Sequence, residues 1–283
     1  MEINFQHVNF KYDNKQNYDT LNDINLTISS KDEFITIVGH TGSGKSTLVQ
    51  LMNALIFPSS GNLTLFGQKI KSKRNKPLKN IRQKVGLVFQ FPEYQLFEDT
   101  VLKDIMFGPQ NFGMSIDEAK ESALNIIKEL NINEEILERP PFNLSGGQKR
   151  KVAIAGILAS NPEILILDEP TVGLDPRGRK ELLTLLNKIH KETHKTIIII
   201  THDMNVVANY SKRTIVLNQG NIVFDGTPKD LFNNKVCLKE YNLDLPYISK
   251  VAESLKEKGM IVYQSIPLNI TELYDCIKGD NHE

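Results

Sequence analysis

Hydrophobic and polar positions alternate with two different periods along the chain, and together they predict an α/β fold. Residues 3–10 and 21–28 alternate roughly apolar with polar on either side of a polar turn, which is typical of an antiparallel hairpin. Residues 34–38, 164–167 and 196–200 are almost continuously apolar, as expected of strands buried on both faces. The sequence therefore predicts a mostly parallel core sheet beside a smaller antiparallel β subdomain.

Helical periodicity dominates from about residue 100 to residue 160, where few strand-like runs occur. Within this stretch Ser115 and Glu118 have the spacing of a capping box and open a predicted helix. We therefore expect a helical subdomain inserted into the α/β chain. A further helix is expected over residues 177–190, and a hairpin around residues 218–221.

The alternation of strands and helices stops at Asp225. Beyond it the apolar spacing predicts three short helices and one small strand, with the helices at 228–232, 246–258 and 269–277 and the strand at 260–263. We expect a main domain over residues 1–228 and a small, α-rich C-terminal extension over residues 229–283, which carries no catalytic constellation.

A glycine-rich loop joins the apolar run at 34–38 to a helix-like run at 48–56, and it fits the pattern GxxxxGK[ST]. The candidate binding residues in and beside it are Gly39, His40, Thr41, Gly42, Ser43, Gly44, Lys45, Ser46 and Thr47. Such a loop turns backbone N–H groups toward the phosphates of a nucleotide, while Lys45 adds a charge and Ser46 offers a hydroxyl to Mg²⁺. A chance match is the alternative, but the flanking strand and helix favour a phosphate-binding loop.

Two acids, Asp168 and Glu169, follow the apolar run at 164–167. Ligands bind at the carboxyl edge of parallel sheets, and a buried carboxylate there needs a cation partner. We expect Asp168 on the Mg²⁺ side, through water, and Glu169 as general base for the attacking water. His202 follows the next apolar run, and although a lone histidine is usually structural, this position favours a γ-phosphate contact.

Three further candidate sites lie outside these motifs, and for two of them a purely structural interpretation stays open. Gln90 ends a strand-like run as a lone amide, and Tyr12 could stack on an adenine ring, although spacing alone favours a surface or core tyrosine. The third is a helix start with capping-box spacing, made of Ser145, Gly146, Gly147 and Gln148. It is either a second anion-binding helix end or simply a well-capped helix.

An unusually apolar segment follows Gln90. Its large side chains are Phe91, Tyr94, Leu96 and Phe97, with Pro92 among them. They could belong to the core, where polar substitution would cost stability, or form a docking surface for a partner. If they form a docking surface, we expect these side chains to be partly exposed and to act as aromatic anchors for the partner.

Composition and charge narrow the class of protein. The 34 basic residues balance 34 acidic ones, which disfavours a nucleic-acid partner bound by phosphate neutralisation. Residues 34–92 nevertheless contain nine Lys or Arg and no acid, a charge that either helps to hold nucleotide triphosphate or belongs to a solvated loop around 69–84. The two cysteines are too few for a disulfide framework, so we expect reduced thiols. The sequence has neither an apolar run long enough for a membrane helix nor a secretory pattern, and we expect a cytosolic chain.

The order of these motifs resembles the nucleotide-binding subunits of ABC transporters over residues 1 to about 230. The stretch from Leu144 to Gln148 is the discriminating element, since other P-loop ATPases lack it. The resemblance implies a P-loop NTPase fold that uses ATP and Mg²⁺. It also implies a head-to-tail dimer in which Ser145, Gly146 and Gly147 of one subunit close on the γ-phosphate held by Lys45 of the other.

The same resemblance assigns single residues to roles. It gives adenine stacking to Tyr12, Mg²⁺ and partner sensing to Gln90, dimer crossing to Asp175 and a switch role to His202.

The residues of segments 91–97, 107–113 and 148–156 resemble the corresponding segments in the ATPases of energy-coupling factor transporters, including their cobalt and nickel relatives. That resemblance implies an importer for vitamins or metal ions, with a membrane coupling protein and a substrate-binding membrane subunit. It places the chain peripherally on the cytoplasmic face of the cell membrane. It also implies that the C-terminal extension helps to join the two ATPases.

Two other classes are weaker. A soluble ABC ATPase acting on DNA or ribosomes would usually show long heptad arms or two cassettes, and neither is present in the sequence. A kinase would use the phosphate loop but would leave the Leu144–Gln148 stretch and His202 unexplained.

Overall fold

The computed structural model describes residues 2–13, 19–71 and 78–279. Within these ranges the strands are β1 (Glu2–Phe10), β2 (Leu21–Ser29), β3 (Phe34–Val38), β4 (Ser60–Leu65), β5 (Gln68–Ile70), β6 (Val85–Val88), β7 (Ile164–Asp168), β8 (Thr196–Ile200), β9 (Arg213–Asn218) and β10 (Asn221–Gly226). The α-helices there are α1 (Lys45–Met52), α2 (Lys79–Lys84), α3 (Val101–Asn111), α4 (Ile116–Glu129), α5 (Gly146–Leu158), α6 (Pro176–Thr193), α7 (Met204–Tyr210), α8 (Pro228–Asn233), α9 (Lys235–Glu240), α10 (Tyr247–Glu257) and α11 (Ile270–Gly279).

The larger sheet confirms the expected parallel core. Its strand order is β10-β9-β3-β8-β7-β6, and every neighbouring pair except β10 with β9 runs parallel. Its two faces enter different cores: Ile198 and Ile200 pack with α1 and the antiparallel sheet, whereas Ile197 and Ile199 pack with the helical region. Because parallel strands end at one edge, the loops that follow β3, β7 and β8 meet there.

The smaller sheet is antiparallel and has the order β2-β1-β4-β5, with the predicted hairpin formed by β1 and β2. Ile3 and Phe5 alternate with more exposed neighbours along β1 and pack into the same core as α1. The polar turn of the hairpin falls largely within 14–18, outside the described residues, as do residues 72–77 of the basic segment.

Helix α1 is shorter than its apolar spacing predicts. It ends at Met52, so Leu55 and Ile56 lie beyond it, because Ala54 adopts a left-handed backbone with φ of 54° and turns the chain. Helices α3, α4 and α5 form the expected helical region, and Ser115 and Glu118 close both hydrogen bonds of the predicted capping box.

The C-terminal part differs from the prediction in two places. The strand expected at 260–263 is wrong, because Met260 and Val262 point to solvent, Ile261 packs between α10 and α11, and none of the described strands pairs with this segment. Helix α9 was not predicted, since it has only six residues and too short an apolar period to be recognised.

The C-terminal part packs on the main sheet through its first helices. Leu231, Phe232 and Leu268 share one buried cluster with Val38 of β3 and Val216 of β9. This cluster places the residues around 241–250 beside the carboxyl edge of the sheet. None of the helices in the described ranges combines the length and apolar character needed to cross a lipid bilayer.

Candidate functional site

The loop between β3 and α1 forms the predicted phosphate-binding turn. A Cβ on Gly39, whose φ is 144°, would stand 2.1 Å from the carbonyl oxygen of Leu217, so only glycine fits. Helix α1 begins after Gly44 with no side-chain cap and no acid in its first turn. Its first N–H groups are therefore left for an external anion, and the helix presents its positive end to the loop.

Lys45 lies half-buried over this loop. Its Nζ donates to the carbonyl oxygens of Gly39, at 2.7 Å, and of His40, at 2.8 Å. Burial lowers the pKa of Lys45, while the nearby carboxylates of Glu169 and Asp168 oppose that shift. The ammonium is thus held in the mouth of the loop, where it can pair with a phosphate.

Ser46 and Asp168 meet across the same opening. The Ser46 hydroxyl donates to Asp168 Oδ2 at 2.7 Å. Burial raises the pKa of Asp168, against the opposing effects of the Ser46 hydrogen bond and the Lys45 charge. A carboxylate that is desolvated in this way gains from a cation, and two neighbouring hard oxygens are the donors that Mg²⁺ prefers.

The donor set fits Mg²⁺ held jointly with phosphates. Among the described residues no three His, Cys, Asp or Glu side chains cluster as an all-protein metal site. Mg²⁺ in nucleotide enzymes is usually bound by one or two protein oxygens and completed by phosphate and water, so Ser46 and Asp168 match that pattern.

Glu169 and His202 lie at the ends of the adjacent strands β7 and β8. His202 Nδ1 is 3.0 Å from Glu169 Oε1. The other carboxylate oxygen of Glu169, Oε2, is buried and has no hydrogen-bond partner among the described residues. Glu169 also has a left-handed backbone, with φ of 48°. A strained acid with one oriented and one available oxygen is what a general base requires.

These groups share one cleft of about 610 Å³. The predicted residues that line it are Tyr12, Thr41, Gly42, Gly44, Lys45, Ser46, Thr47, Gln90, Asp168, Glu169 and His202. The Tyr12 hydroxyl lies 3.1 Å from Thr47 Oγ1, which places the tyrosine ring beside the start of α1.

Three loop residues do not line the cleft. Gly39 and Ser43 support the loop from beneath, and Ser43 Oγ is buried without a hydrogen-bond partner among the described residues. His40 turns away, and its Nε2 lies 2.8 Å from the carbonyl oxygen of Tyr241 in the C-terminal part. No local sequence pattern predicts this contact, because it joins residues far apart in the chain.

The residues of the Leu144–Gln148 stretch lie elsewhere. Ser145, Gly147 and Gln148 line a second cleft of about 230 Å³, and Ser145 and Gln148 form a complete capping box at the start of α5. Gly146 is the first residue of α5. Asp175 caps α6 by accepting from Gly178 N at 2.8 Å. Within one subunit the structure therefore does not bring these residues to Lys45.

Sequence reasoning missed three residues that complete the main cleft: Thr20, Val172 and Ile200. They carry no motif, and only the order of strands in the sheet brings them to this edge.

The segment after Gln90 divides between surface and core. Tyr94 is 84% exposed, Phe97 is 56% exposed and Phe91 is 36% exposed. Leu96 is only 7% exposed and belongs to the core of the helical region. The expectation that all four side chains are partly exposed is wrong for Leu96, because its neighbours on either side face outward and turn it inward.

Comparison with known proteins decides the family. The ABC transporter family profile matches residues 21–172. The chain is 48% identical over 279 residues to the energy-coupling factor transporter ATP-binding protein EcfA2 of Enterococcus faecalis, covering 97% of this chain and 96% of that one. The chain belongs to the energy-coupling factor ATP-binding proteins of the ABC transporter family. It is therefore an ATPase of the transporter class, and the comparisons give no support to a role on DNA or ribosomes.

Two solved structures agree with this assignment. The cbiO1 protein of Clostridium perfringens, described as part of the ABC transporter complex cbiONQ, superposes with a TM-score of 0.74 at 38% identity, covering 89% of this chain and 98% of that one. The ATP-binding cassette MJ0796, solved as a dimer bound to ADP and Pi, gives a TM-score of 0.70 at 31% identity, covering 80% of this chain and 98% of that one. The P-loop ATPase fold and the α/β class are thus confirmed.

Proposed function

We propose that this energy-coupling factor ATPase hydrolyses ATP in the cleft around Lys45 to power an importer for vitamins or transition-metal ions. The observation that carries the proposal is the meeting of Lys45, Ser46, Asp168 and Glu169 at one sheet edge, with His202 3.0 Å from Glu169. Binding and base groups thus surround a single volume large enough for a nucleotide.

Each side chain has a role in that reaction. Lys45 and the N–H groups at the start of α1 bind the β- and γ-phosphates, and the Tyr12 ring stacks on the adenine. Ser46, Asp168 and Gln90, which line the same cleft, would hold Mg²⁺, and the ion would supply neutralisation of phosphate charge. Glu169 takes a proton from the attacking water, while His202, whose Nδ1 lies 3.0 Å from Glu169 Oε1, orients the carboxylate and contacts the γ-phosphate.

A second ATPase subunit completes the site. Ser145, Gly146, Gly147 and Gln148 lie outside the Lys45 cleft of their own subunit, which supports a head-to-tail dimer in which they reach the partner's nucleotide. Asp175, at the start of α6, lies beside the loop that would cross the dimer. MJ0796, which was solved as a dimer, supports a dimeric state.

We assign the extension over residues 229–283 to contact between the two ATPases. Support comes from large apolar side chains of this region that remain exposed in the single chain: Val236, Tyr247, Met260, Ile270 and Tyr274. Burial of such side chains in a dimer would stabilise it without any catalytic group.

Membrane partners would dock on the segment after Gln90. Phe91, Tyr94 and Phe97 offer exposed aromatic anchors there, and Phe97 packs edge-to-face on exposed Phe107. A helix of a membrane coupling protein would fit such a surface, with a substrate-binding membrane subunit joined to that protein. The ATPase would then lie peripherally on the cytoplasmic face of the cell membrane.

Purification of the native complex from membranes tests the proposal. We expect the purified assembly to contain a second ATPase and two membrane proteins, to hydrolyse ATP with Mg²⁺, and to take up solute after reconstitution into vesicles. A chain that hydrolyses ATP but never co-purifies with membrane proteins would overturn the transport role. Identification of the bound solute by mass spectrometry would distinguish a vitamin from a metal ion.

A further inference from the structure

One buried cation has no place in the nucleotide site described above. Arg150 lies on the first turns of α5, two residues after Gln148, and its side chain is only 5% exposed. A buried guanidinium is costly unless its donors are satisfied. Its partners therefore indicate what the arginine is for.

The Arg150 guanidinium binds in two directions. On one side Nη2 donates to Glu93 Oε1 at 2.8 Å and Nε donates to Glu93 Oε2 at 3.2 Å, a bidentate pair with a carboxylate that is itself 15% exposed. On the other side Nη1 donates to the carbonyl oxygens of Pro170, at 3.0 Å, and Val172, at 2.7 Å. The planar fork of arginine suits this double attachment, whereas a lysine ammonium does not.

The hydrogen-bond partners of Arg150 belong to two different segments of the chain. Glu93 lies in the segment 91–97, between exposed Phe91 and exposed Tyr94. Pro170 and Val172 lie in the loop that begins at Glu169 and continues toward Asp175. Arg150 thus connects three parts of the protein. They are the segment 91–97, which we call the docking segment, the helix α5 and the loop that begins at Glu169.

Two further observations show that the segment and the loop fit together closely. The Phe91 ring lies against Gly173, 3.7 Å from where a Cβ would stand. Phe91 and Glu169 both adopt a left-handed backbone, with φ of 55° and 48°. The other end of the segment is held by Asp104, which accepts from Phe97 N at 3.3 Å and from Glu98 N at 3.2 Å. The segment is thus hydrogen-bonded to Asp104 of α3 at one end and paired with Arg150 of α5 near the other.

We propose that Arg150 is a positioning residue for hydrolysis, and that it transmits displacement of the docking segment to the loop that carries Glu169. The inference rests on the proposed transport function, because the displacement comes from a membrane partner bound at Phe91, Tyr94 and Phe97. Arg150 does not line the cleft around Lys45. It acts through the backbone carbonyls of Pro170 and Val172, which fix the path of the chain immediately after Glu169.

Substitution to lysine separates the two attachments. Arg150→Lys keeps a positive charge near Glu93 but cannot hold that carboxylate and both carbonyls at once. In the reconstituted complex we expect kcat for ATP to fall roughly tenfold while KM for ATP stays within about twofold, because small misplacement of a catalytic group slows chemistry more than binding. Solute transported per ATP hydrolysed also falls.

A milder variant tests the other side. Glu93→Gln leaves the attachment of Arg150 to Pro170 and Val172 in place and loosens only the docking segment. We expect ATP hydrolysis to be nearly retained and solute uptake per ATP to fall about threefold or more. In Arg150→Lys, by contrast, the main expected change is the fall in kcat. This variant also serves if Arg150→Lys fails to fold.

A stability-matched control removes the alternative that Arg150 only holds the core together. Ile127→Ala opens a cavity in the same helical region, since Ile127 is fully buried on α4, a helix that supplies none of the four hydrogen bonds of Arg150 described above. If Arg150→Lys changes kcat and uptake no more than Ile127→Ala does at equal melting temperature, the inference is overturned. Unchanged uptake per ATP in Glu93→Gln overturns the link to the docking segment. Wild-type complex that hydrolyses ATP without uptake would instead reject the proposed transport function.

Discussion

The nucleotide cleft and the C-terminal part are built on opposite plans. In the cleft, chemical groups come from loops at the ends of completely buried parallel strands, so their positions are fixed by a rigid core. In the C-terminal part, short helices pack around small buried clusters and leave large apolar side chains exposed. The difference agrees with the proposed roles of the two regions, since catalysis needs precise positions, whereas contact with a partner needs uncovered surface.

The largest effect is expected at the cleft. Glu169→Gln keeps the shape of the side chain but cannot accept a proton from water, so we expect ATP turnover to fall by about 10²- to 10⁴-fold with nucleotide binding retained. The matched control is Glu163→Gln, one residue before the opposite end of β7, where Glu163 only pairs with Lys84 at 2.7 Å. Turnover of Glu169→Gln within a few-fold of wild type, measured by phosphate release, would remove Glu169 from the role of base.

Loss of the loop charge should weaken binding itself. Lys45→Ala removes the ammonium that lies on the carbonyls of Gly39 and His40, and we expect nucleotide affinity to fall about 10- to 100-fold, the value of one charged hydrogen-bonded contact. Lys69→Ala, an exposed lysine of the same basic segment, is the control and tests whether the general positive field matters. Calorimetry that gives equal affinities for wild type and the folded Lys45→Ala variant would contradict the phosphate-loop assignment.

Within the docking segment, neighbouring residues should behave differently. Leu96→Ser leaves a cavity and a buried hydroxyl in the helical region, and we expect a loss of about 2–5 kcal/mol in the free energy of unfolding. Tyr94→Ser changes an exposed side chain and should leave that free energy within about 0.5 kcal/mol while abolishing co-purification with membrane proteins. Denaturant unfolding and pull-down of the two variants measure this contrast, and a strongly destabilised Tyr94→Ser would return that side chain to the core.

The smallest effect on the single chain is expected in the C-terminal part. Ile270→Ser and Tyr274→Ser alter exposed positions of α11, so we expect almost no change in the melting temperature of the monomer. ATP-dependent dimerisation, followed by analytical ultracentrifugation, should weaken by about tenfold if these side chains anchor the partner ATPase. Undiminished dimerisation would leave the contact between ATPases to the cleft surfaces alone.

Local patterns in the sequence were sufficient for the core strands, for most of the longer helices and for most of the residues that line the cleft. The phosphate loop, the acids after β7 and the helix cap at Ser145 each depend on neighbouring residues, so spacing reveals them. Contacts that join distant parts could not be predicted in this way. The contact of His40 with Tyr241 and the attachment of Arg150 to Glu93 arise only after the chain folds.

The same limit explains the errors. The alternation at 260–263 is that of a strand, but within the described part of the chain no strand pairs with it. The apolar character of Leu96 equals that of its neighbours, and only the packing of the helical region turns it inward. In both cases the sequence pattern describes which side chains avoid water, whereas the structure decides what each of them meets.

The left-handed backbone of Glu169 makes selection for stability and selection for ATP turnover favour different residues at this position. A glutamate held at φ of 48° with one buried, unpartnered oxygen is less stable than glycine or asparagine would be at the same position. In a mutant library sorted only by heat resistance, we therefore expect Glu169→Gly and Glu169→Asn to be enriched, and both to have lost turnover. Selection for growth on an imported solute would eliminate the same variants, because they do not hydrolyse ATP. A glutamate at this strained position is therefore explained by selection for activity and not for stability.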